Sequence, residues 1–382
     1  MRRLPFLLSL AGAVHAQSTV IMGTRTAVIP SSIDGLPTGT SLSYLSYSST
    51  RTQSSSSVSD LTATLSSNGT ARSTSASATL LVGTRSLEAE ATVSAVPSPT
   101  NTQPCNNYVE FCERKYSNIT FVGAHNSPFA ISNNAASNQD FGVLAQLDDG
   151  IRMLQGQTHM LDGVLRYCHT SCSLLNAGTV EEYFRNVSSW LDSHPYEVVT
   201  ILIGNSDSRP VTDYEAPIKA SGLGKYVYTP PVVPMSLSDW PTLGELIIRR
   251  ARAIIFMDYN ANQDSVPYIL DEFSQLWETP FSPTNRSFPC TVQRPPGLSD
   301  EKAADRLYMA NHNLNTNITV AGISLLLPNT VQINETNAES GFGSLGRAVD
   351  NCEGNEPHCS IYSETEAHQN QILGTAPQTF FL

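Results

Sequence analysis

The sequence predicts an α/β fold built on a parallel sheet, and a (β/α) barrel rather than an open sheet. Between residues 105 and 352, short β-branched runs alternate with segments of helical periodicity. The run 197–204 is almost wholly apolar, as expected of a strand buried on both faces of a parallel sheet. No glycine-rich nucleotide fingerprint follows a strand, which argues against an open sheet that binds a nucleotide cofactor.

Strands and helices are expected to follow one another along this region. The helix at 179–192 is the best defined, because its apolar residues recur at the three- and four-residue spacing of one helix face. The predicted strands are 118–125, 150–155, 164–169, 197–204, 253–258 and 306–310, and the predicted helices are 140–149, 179–192 and 242–250.

The N-terminal residues differ in composition from the predicted barrel. Residues 1–16 combine two arginines, an apolar run and a small final residue, which predicts a signal peptide and secretion to the extracellular space or cell wall. Residues 17–104 are rich in serine and threonine and predict a disordered, O-glycosylated stalk. The run at 19–30 favours the alternative of a small β-rich domain. The barrel is expected over 105–352, followed by an atypical tail over 353–382.

Charge and composition exclude several functions for the 382-residue chain. Its net charge is −12 and it has no clusters of lysine and arginine, which argues against nucleic-acid binding and against docking on anionic membranes. It lacks an apolar stretch long enough for a transmembrane helix. Nothing in the sequence specifies an oligomeric state.

Secretion would permit disulfides and N-linked glycans. Close spacing suggests the pairs Cys105–Cys112 and Cys168–Cys172, leaving Cys290 to reach Cys352 and Cys359 without a partner, although spacing alone does not fix the connectivity. Glycosylation sequons begin at Asn68, Asn118, Asn186, Asn285, Asn317 and Asn334.

Polar side chains follow the predicted strands, where the active site of a parallel barrel lies. His125 and Asn126 follow the first strand, Gln155 and Gln157 the second, and His169 the third. A single histidine in a loop usually has a structural role, but two at neighbouring strand ends can exchange protons with a substrate. Later strands are followed by residues that include Asn205, Asp258 and Asn311.

Two segments carry a resemblance to a known family. The runs ITFVGAHNSPF and QLDDGIRMLQGQTHMLDGVLRYCHTSC resemble the catalytic X region of phosphatidylinositol-specific phospholipase C (PLC), and are most similar to secreted fungal PLC-like phosphodiesterases, which have a TIM-barrel fold. The resemblance implies that His125 takes a hydroxyl proton or holds a phosphoryl oxygen. It implies that His169 is a general acid or stabilises the transition state, and that Asn126 matches a calcium-ligand asparagine.

The sequence departs from the family in two places. Gln155 and Gln157 replace charged residues that bind calcium or phosphate in relatives, so calcium is unsupported and we expect no cofactor. Arg152 is expected to face away from Gln155 and not to replace the missing charge. Relatives end in an apolar closing strand, whereas this tail shows none, which predicts a barrel incomplete at its C-terminus.

These features lead to one functional hypothesis and two rivals. The first is a phosphoric diester hydrolase of PLC type, acting on a phosphoinositide or related phosphodiester by histidine acid/base catalysis, with Asn126, Gln155 and Gln157 binding substrate. The alternative is an inactive barrel that binds glycan or lipid head groups at the cell wall. A glycoside hydrolase is disfavoured, because the strand ends offer mainly amides and histidines instead of paired carboxylates.

Overall fold

The structure is a computed structural model that describes residues 18–22, 24–29, 43–53, 102–320, 323–355 and 379–381. The predicted signal peptide, most of the stalk, the Asn68 sequon and Cys359 lie outside the described residues. No helix in the described ranges is both long enough and apolar enough to cross a bilayer.

The described strands and helices alternate through the central part of the chain. The strands are β1 (Ser18–Met22), β2 (Arg25–Ile29), β3 (Arg51–Thr52), β4 (Val122–Ala124), β5 (Met153–Leu161), β6 (Val164–Cys168), β7 (Asn176–Thr179), β8 (Val199–Asn205), β9 (Val232–Val233), β10 (Ala253–Met257), β11 (Ile269–Asp271), β12 (Leu276–Glu278), β13 (Leu307–His312), β14 (Asn315–Val320), β15 (Ile323–Pro328) and β16 (Thr379–Phe381). The helices are α1 (Val143–Asp148), α2 (Val180–Ser193), α3 (Glu215–Ala220), α4 (Leu243–Ile248), α5 (Glu272–Gln275), α6 (Asp300–Ala303), α7 (Ile333–Thr336) and α8 (Leu345–Asn355).

A ten-stranded mixed sheet forms the centre of the fold and confirms the α/β class. Its strand order is β11-β10-β8-β5-β4-β16-β13-β12, with β6 and β7 attached to β5. The pairs β4–β5, β5–β8, β8–β10, β10–β11 and β12–β13 are parallel.

The prediction that residues 164–169 form another parallel strand was wrong. Strand β6 turns back on β5 as an antiparallel hairpin, with Thr158 opposite Tyr167. Its turn residues Asp162 and Gly163 both have positive φ angles, 51° and 76°. An Asp-Gly pair in this conformation is a strong hairpin signal, and the turn returns the chain toward the sheet.

Strand β16 corrects the prediction of a missing closing strand. It lies antiparallel between β4 and β13, with Phe380 opposite both Gly123 and Asn311. A run of three residues is too short to stand out as a strand in the sequence. Within the described part of the chain, β11 and β12 are not paired with each other, so a closed barrel is not observed there; the short helix α5 connects them.

The two central strands are buried on both faces, as the apolar run at 197–204 predicts. Val199, Ile201 and Ile203 of β8 pack in one hydrophobic cluster, whereas Leu202 packs in another. Strand β10 alternates in the same way, with Ile255 in the first cluster and Phe256 in the second. Neither face of these strands is left for solvent.

Helix α2 confirms the predicted amphipathic helix. Thr179 and Glu182 form a capping box that satisfies free N–H groups at its start. Its apolar face packs in the first cluster through Val180, Phe184, Val187, Trp190 and Leu191.

Two pieces of the predicted disordered stalk pack against the central part of the protein instead. Strands β1 and β2 form an antiparallel hairpin over the run that favoured a β-rich alternative. Its Thr26 N–H donates to Asn133 O at 2.9 Å. Farther along, β3 pairs antiparallel with β9. These segments have partners in the tertiary structure that their composition does not reveal.

The disulfides confirm the pairing suggested by spacing: Cys105–Cys112, Cys168–Cys172 and Cys290–Cys352. The asparagine of each sequon within the described ranges is exposed, so glycosylation at these sites stays a prediction compatible with the fold.

Candidate active site

A cavity opens near the ends of strands from both halves of the sheet. His125, Gln155 and Gln157 line it, so the structure brings together residues predicted at two strand ends. Gln155 and Gln157 are alternate residues of β5 and therefore share one face. The full lining comprises His125, Gln155, Gln157, Leu202, Gly204, Asp258, Glu272, Glu278, Phe281, Arg294, Met309 and Asn311.

His125 is held in the cavity wall as a neutral imidazole. Its Nε2 accepts hydrogens from the side-chain amides of Asn126, at 3.0 Å, and Asn313, at 3.2 Å. These partners assign the ring proton to Nδ1. Burial, and to a lesser extent the neighbouring His169, lowers the pKa of His125 to about 3.

His169 is buried beside His125 without lining the cavity itself. Its Nδ1 donates to Ala136 O at 2.6 Å, which leaves Nε2 as the proton-accepting nitrogen. Phe129 stacks on its ring with a centroid separation of 5.1 Å. Burial lowers the pKa of His169 to about 4, while the Ala136 carbonyl opposes the shift.

Both histidines precede a residue in a left-handed backbone conformation. Asn126 has a φ of 50° and Thr170 a φ of 63°. The Asn126 turn is fixed by its own N–H, which donates to Gln155 Oε1 at 2.9 Å. Gln155 therefore supports the position of His125, a role that the sequence analysis did not assign to it. Such conformations are costly outside glycine and often occur at functional sites.

One loop, residues 133–140, supports both histidines, and we call it the support loop. Its Ala136 carbonyl accepts the His169 Nδ1 hydrogen. Asn138 Oδ1 accepts from Asn126 Nδ2 at 3.2 Å, and Gln139 Nε2 donates to His125 O at 2.7 Å.

An acidic wall faces the same cavity, and the sequence analysis named only Asp258 among its residues. It consists of Asp258, Glu272 and Glu278 with Arg294. Arg294 Nε donates to Glu278 Oε2 at 2.7 Å, and Asn311 Nδ2 donates to the same oxygen at 3.1 Å. Glu272 lies against Glu278, and a proton shared between the two carboxyl groups can form a hydrogen bond. The expectation that this site offers mainly amides and histidines was therefore wrong.

Burial keeps protons on part of the acidic wall. It raises the pKa of Asp258 to about 6, against the backbone N–H of Asn205 that favours the charged form. Burial and the adjacent Glu278 raise the pKa of Glu272 well above its usual range. Glu278 conversely holds the pKa of Arg294 above its ordinary value, although burial opposes this. The wall therefore combines one firm cation with carboxyl groups that differ in protonation.

Arg152 faces away from the cavity, as strand alternation predicts. Its Nε donates to Glu197 Oε2 at 2.7 Å, and its guanidinium lies 4.9 Å from the centroid of the Trp190 ring. Its charge is used inside the fold and is not available to a phosphate.

The residues around Asn126 do not fit a calcium ion. Calcium is usually bound by six to eight oxygens with several carboxylates among them. Over the described ranges, no group of three or more histidine, cysteine, aspartate or glutamate residues is arranged to hold a metal. The Gln155 oxygen is already used by the Asn126 N–H. Independence from calcium remains a prediction.

A family model and one of the relatives indicate the same family. The family model for the PI-PLC X 1 domain matches residues 111–360. An uncharacterized secreted protein of Arthroderma benhamiae is 56% identical over 292 residues, covering 73% of this chain and 66% of that protein. A PI-PLC X domain-containing protein 1 of the same fungus is 46% identical, covering 68% of this chain and 83% of that protein.

Among solved structures, the phosphatidylinositol-specific phospholipase C of Listeria monocytogenes is similar at 11% identity and a TM-score of 0.39. The match covers 53% of this chain and 76% of that enzyme. The family match over most of the central part, together with the 46% identity to a domain-containing relative, shows that the chain belongs to the PI-PLC X domain family.

Proposed function

We propose that this protein is a secreted phosphodiesterase of PLC type that cleaves a phosphoinositide or a related phosphodiester. The single observation that carries the proposal is the buried pair of neutral histidines beside a cavity with polar walls. Family membership supports it, and the name of the Arthroderma secreted relative supports export. Because the cavity is lined from both halves of the sheet, we propose that the sheet curves around it as a TIM-type barrel.

The two histidines suit different roles in the cleavage. His169 presents Nε2 as a base, so it accepts the proton of an attacking hydroxyl as that oxygen bonds to phosphorus. The bond from phosphorus to the leaving oxygen breaks, and His169 returns the proton to that oxygen. His125 is neutral and lines the cavity, where its ring N–H donates to a phosphoryl oxygen and stabilises the negative charge.

The acidic wall suits a head group rich in hydroxyls. Oxygens of Glu278 can accept hydrogens from such hydroxyls and the protonated Glu272 can donate one, while a phosphate binds on the histidine side. Gln157 lines the cavity and can donate its amide to the phosphate.

A second candidate, head-group binding without hydrolysis, is favoured by one observation. The amides Gln155 and Gln157 supply neither a metal-binding carboxylate nor a cation for the developing phosphorane. In this case the cavity would bind the same ligands without turnover.

An assay of the purified full chain on phosphatidylinositol and simpler phosphodiesters, with and without chelator, distinguishes the two. We expect hydrolysis that a chelator does not change and that His125→Gln and His169→Gln each reduce by about 10²-fold or more. His194→Gln is the control, because this residue stacks on Trp190 at the end of α2, outside the cavity lining. Cleavage that survives both active-site variants would overturn the proposal. Binding of phosphatidylinositol vesicles without cleavage would establish the second candidate instead.

A further inference from the structure

We propose that the N-terminal hairpin β1–β2 belongs to the active site, and that Arg25 is a positioning residue for His169. The effect of Arg25 on catalysis rests on the proposed function, whereas its effect on the tautomer of His169 can be measured without catalysis. Arg25 contacts neither histidine in the described structure, so it acts through the support loop.

Arg25 of β2 is buried against the support loop, although it belongs to a polar region rich in serine and threonine. It is only 8% exposed. Its Nη1 donates to Ser137 O at 2.8 Å, and its Nη2 forms an ion pair with Asp140. Burying a guanidinium is costly without such partners, so the contact is specific to this loop.

The backbone of the hairpin adds a second set of contacts on the other side of Ala136. The N–H of Thr26 donates to Asn133 O and the N–H of Ala135 donates to Thr26 O, both at 2.9 Å. Thr26 also forms a parallel bridge with Asn134. The hairpin thereby holds the loop immediately before and immediately after Ala136.

Ala136 is the residue whose position decides the protonation pattern of His169. Its carbonyl accepts the Nδ1 hydrogen at 2.6 Å, which keeps the lone pair on Nε2. A neutral imidazole without a fixed acceptor can place its proton on either nitrogen. Displacement of Ala136 would therefore give a mixture of tautomers, and only one of them presents Nε2 as a base.

The experiment uses the full secreted chain with Arg25→Ala, Arg25→Lys and, as a control, Arg51→Ala. Arg51 is the other described arginine of the N-terminal region, but it pairs with Asp264, away from the support loop. Long-range ¹H–¹⁵N NMR of the histidine rings reports the tautomer of His169. We expect the Nδ1–H form in the unmodified chain and in Arg51→Ala, a mixture in Arg25→Ala, and an intermediate state in Arg25→Lys, which keeps the charge but not the planar fork.

Kinetics provide the second measurement. On a cleavable phosphodiester, Arg25→Ala should lower kcat by about tenfold or more and leave KM nearly unchanged, because the loss lies in the alignment of the base. If Arg25→Ala does not fold, Asp140→Asn replaces it, since that change removes the charge partner while keeping the side-chain size.

The outcomes separate this inference from the proposed function. If a folded variant is less stable but retains the Nδ1–H form of His169, Arg25 is merely structural and the inference is overturned. If the unmodified chain cleaves no phosphodiester, the proposed function fails, whereas the NMR result still decides whether Arg25 positions His169.

Discussion

Acidification should lower the free energy of unfolding, because His169 stays neutral inside the folded protein. Burial lowers the pKa of His169 to about 4 in the folded chain, whereas an unfolded histidine titrates near about 6.5. Between these pH values the unfolded chain binds a proton that the folded chain does not. The free energy of unfolding therefore falls as the pH drops through this window.

The magnitude follows from the two pKa values. Each pH unit in the window changes the free energy of unfolding by about 1.4 kcal/mol. The buried, neutral His169 should therefore lower this free energy by about 2 kcal/mol at pH 5 and by about 3 kcal/mol at pH 4. His169→Gln cannot titrate. Its free energy of unfolding relative to the unmodified chain should therefore rise by about 2 kcal/mol between pH 7 and pH 5. Comparing two chains at each pH cancels the other groups, including Asp258 and Asp271, whose raised pKa values act in the opposite direction.

Urea unfolding followed by tryptophan fluorescence at pH 7, 6 and 5 measures this difference. His312→Gln serves as a matched variant, because burial lowers the pKa of His312 to about 4 as well and His312 is outside the cavity lining. The free energy of unfolding of both variants, relative to the unmodified chain, should rise as the pH falls. If this relative free energy stays constant for His169→Gln while it rises for His312→Gln, His169 is not the neutral, buried group on which its role as a base depends.

Three further predictions concern other parts of the fold. Glu197→Gln should lower the free energy of unfolding by about 3 kcal/mol, because it leaves the buried charge of Arg152 without its charged partner. Denaturant unfolding of the double variant Arg152→Met with Glu197→Leu should show that most of this loss is recovered. A loss under about 1 kcal/mol in Glu197→Gln would contradict a buried ion pair. Removing residues 379–382 should lower the melting temperature and broaden the transition in calorimetry, because β16 joins β4 to β13; an unchanged trace would mean that the strand contributes nothing. Replacing Cys168 and Cys172 by serine should reduce hydrolysis more than thermal stability, since the bridge closes a short loop that carries His169; equal losses would indicate a structural bridge only.

The parts of the fold that sequence predicts well are those whose signal is local. Strands β8 and β10 and helix α2 each carry a continuous or periodic apolar pattern, and each occurs within a few residues of its predicted range. His125, Gln155 and Gln157 share a cavity because His125 follows β4 and the two glutamines lie on one face of the neighbouring parallel strand β5.

The parts that could not be predicted depend on distant partners. Glu272 begins the four-residue helix α5, Glu278 ends the three-residue strand β12 and Arg294 lies in irregular chain, so no local pattern joins them to a site. Arg25 lies in a region whose average composition argues against burial, and its contacts with Ser137 and Asp140 of the support loop explain its position. The direction of β6 could have been found, because Asp162 and Gly163 carry a hairpin signal.

The place of β16 in the sheet has a consequence for the synthesis of the protein. Over the described residues, β16 supplies the strand hydrogen bonds that link β4 to β13 within the sheet. The hydrogen bonding of this sheet therefore cannot be completed until residues 379–381 have been synthesised. A nascent chain waiting in this state presents unpaired strand edges, which attract both chaperones and aggregation partners. For a protein exported as proposed, the sheet would then be completed on the oxidising side of the membrane, where its disulfides form.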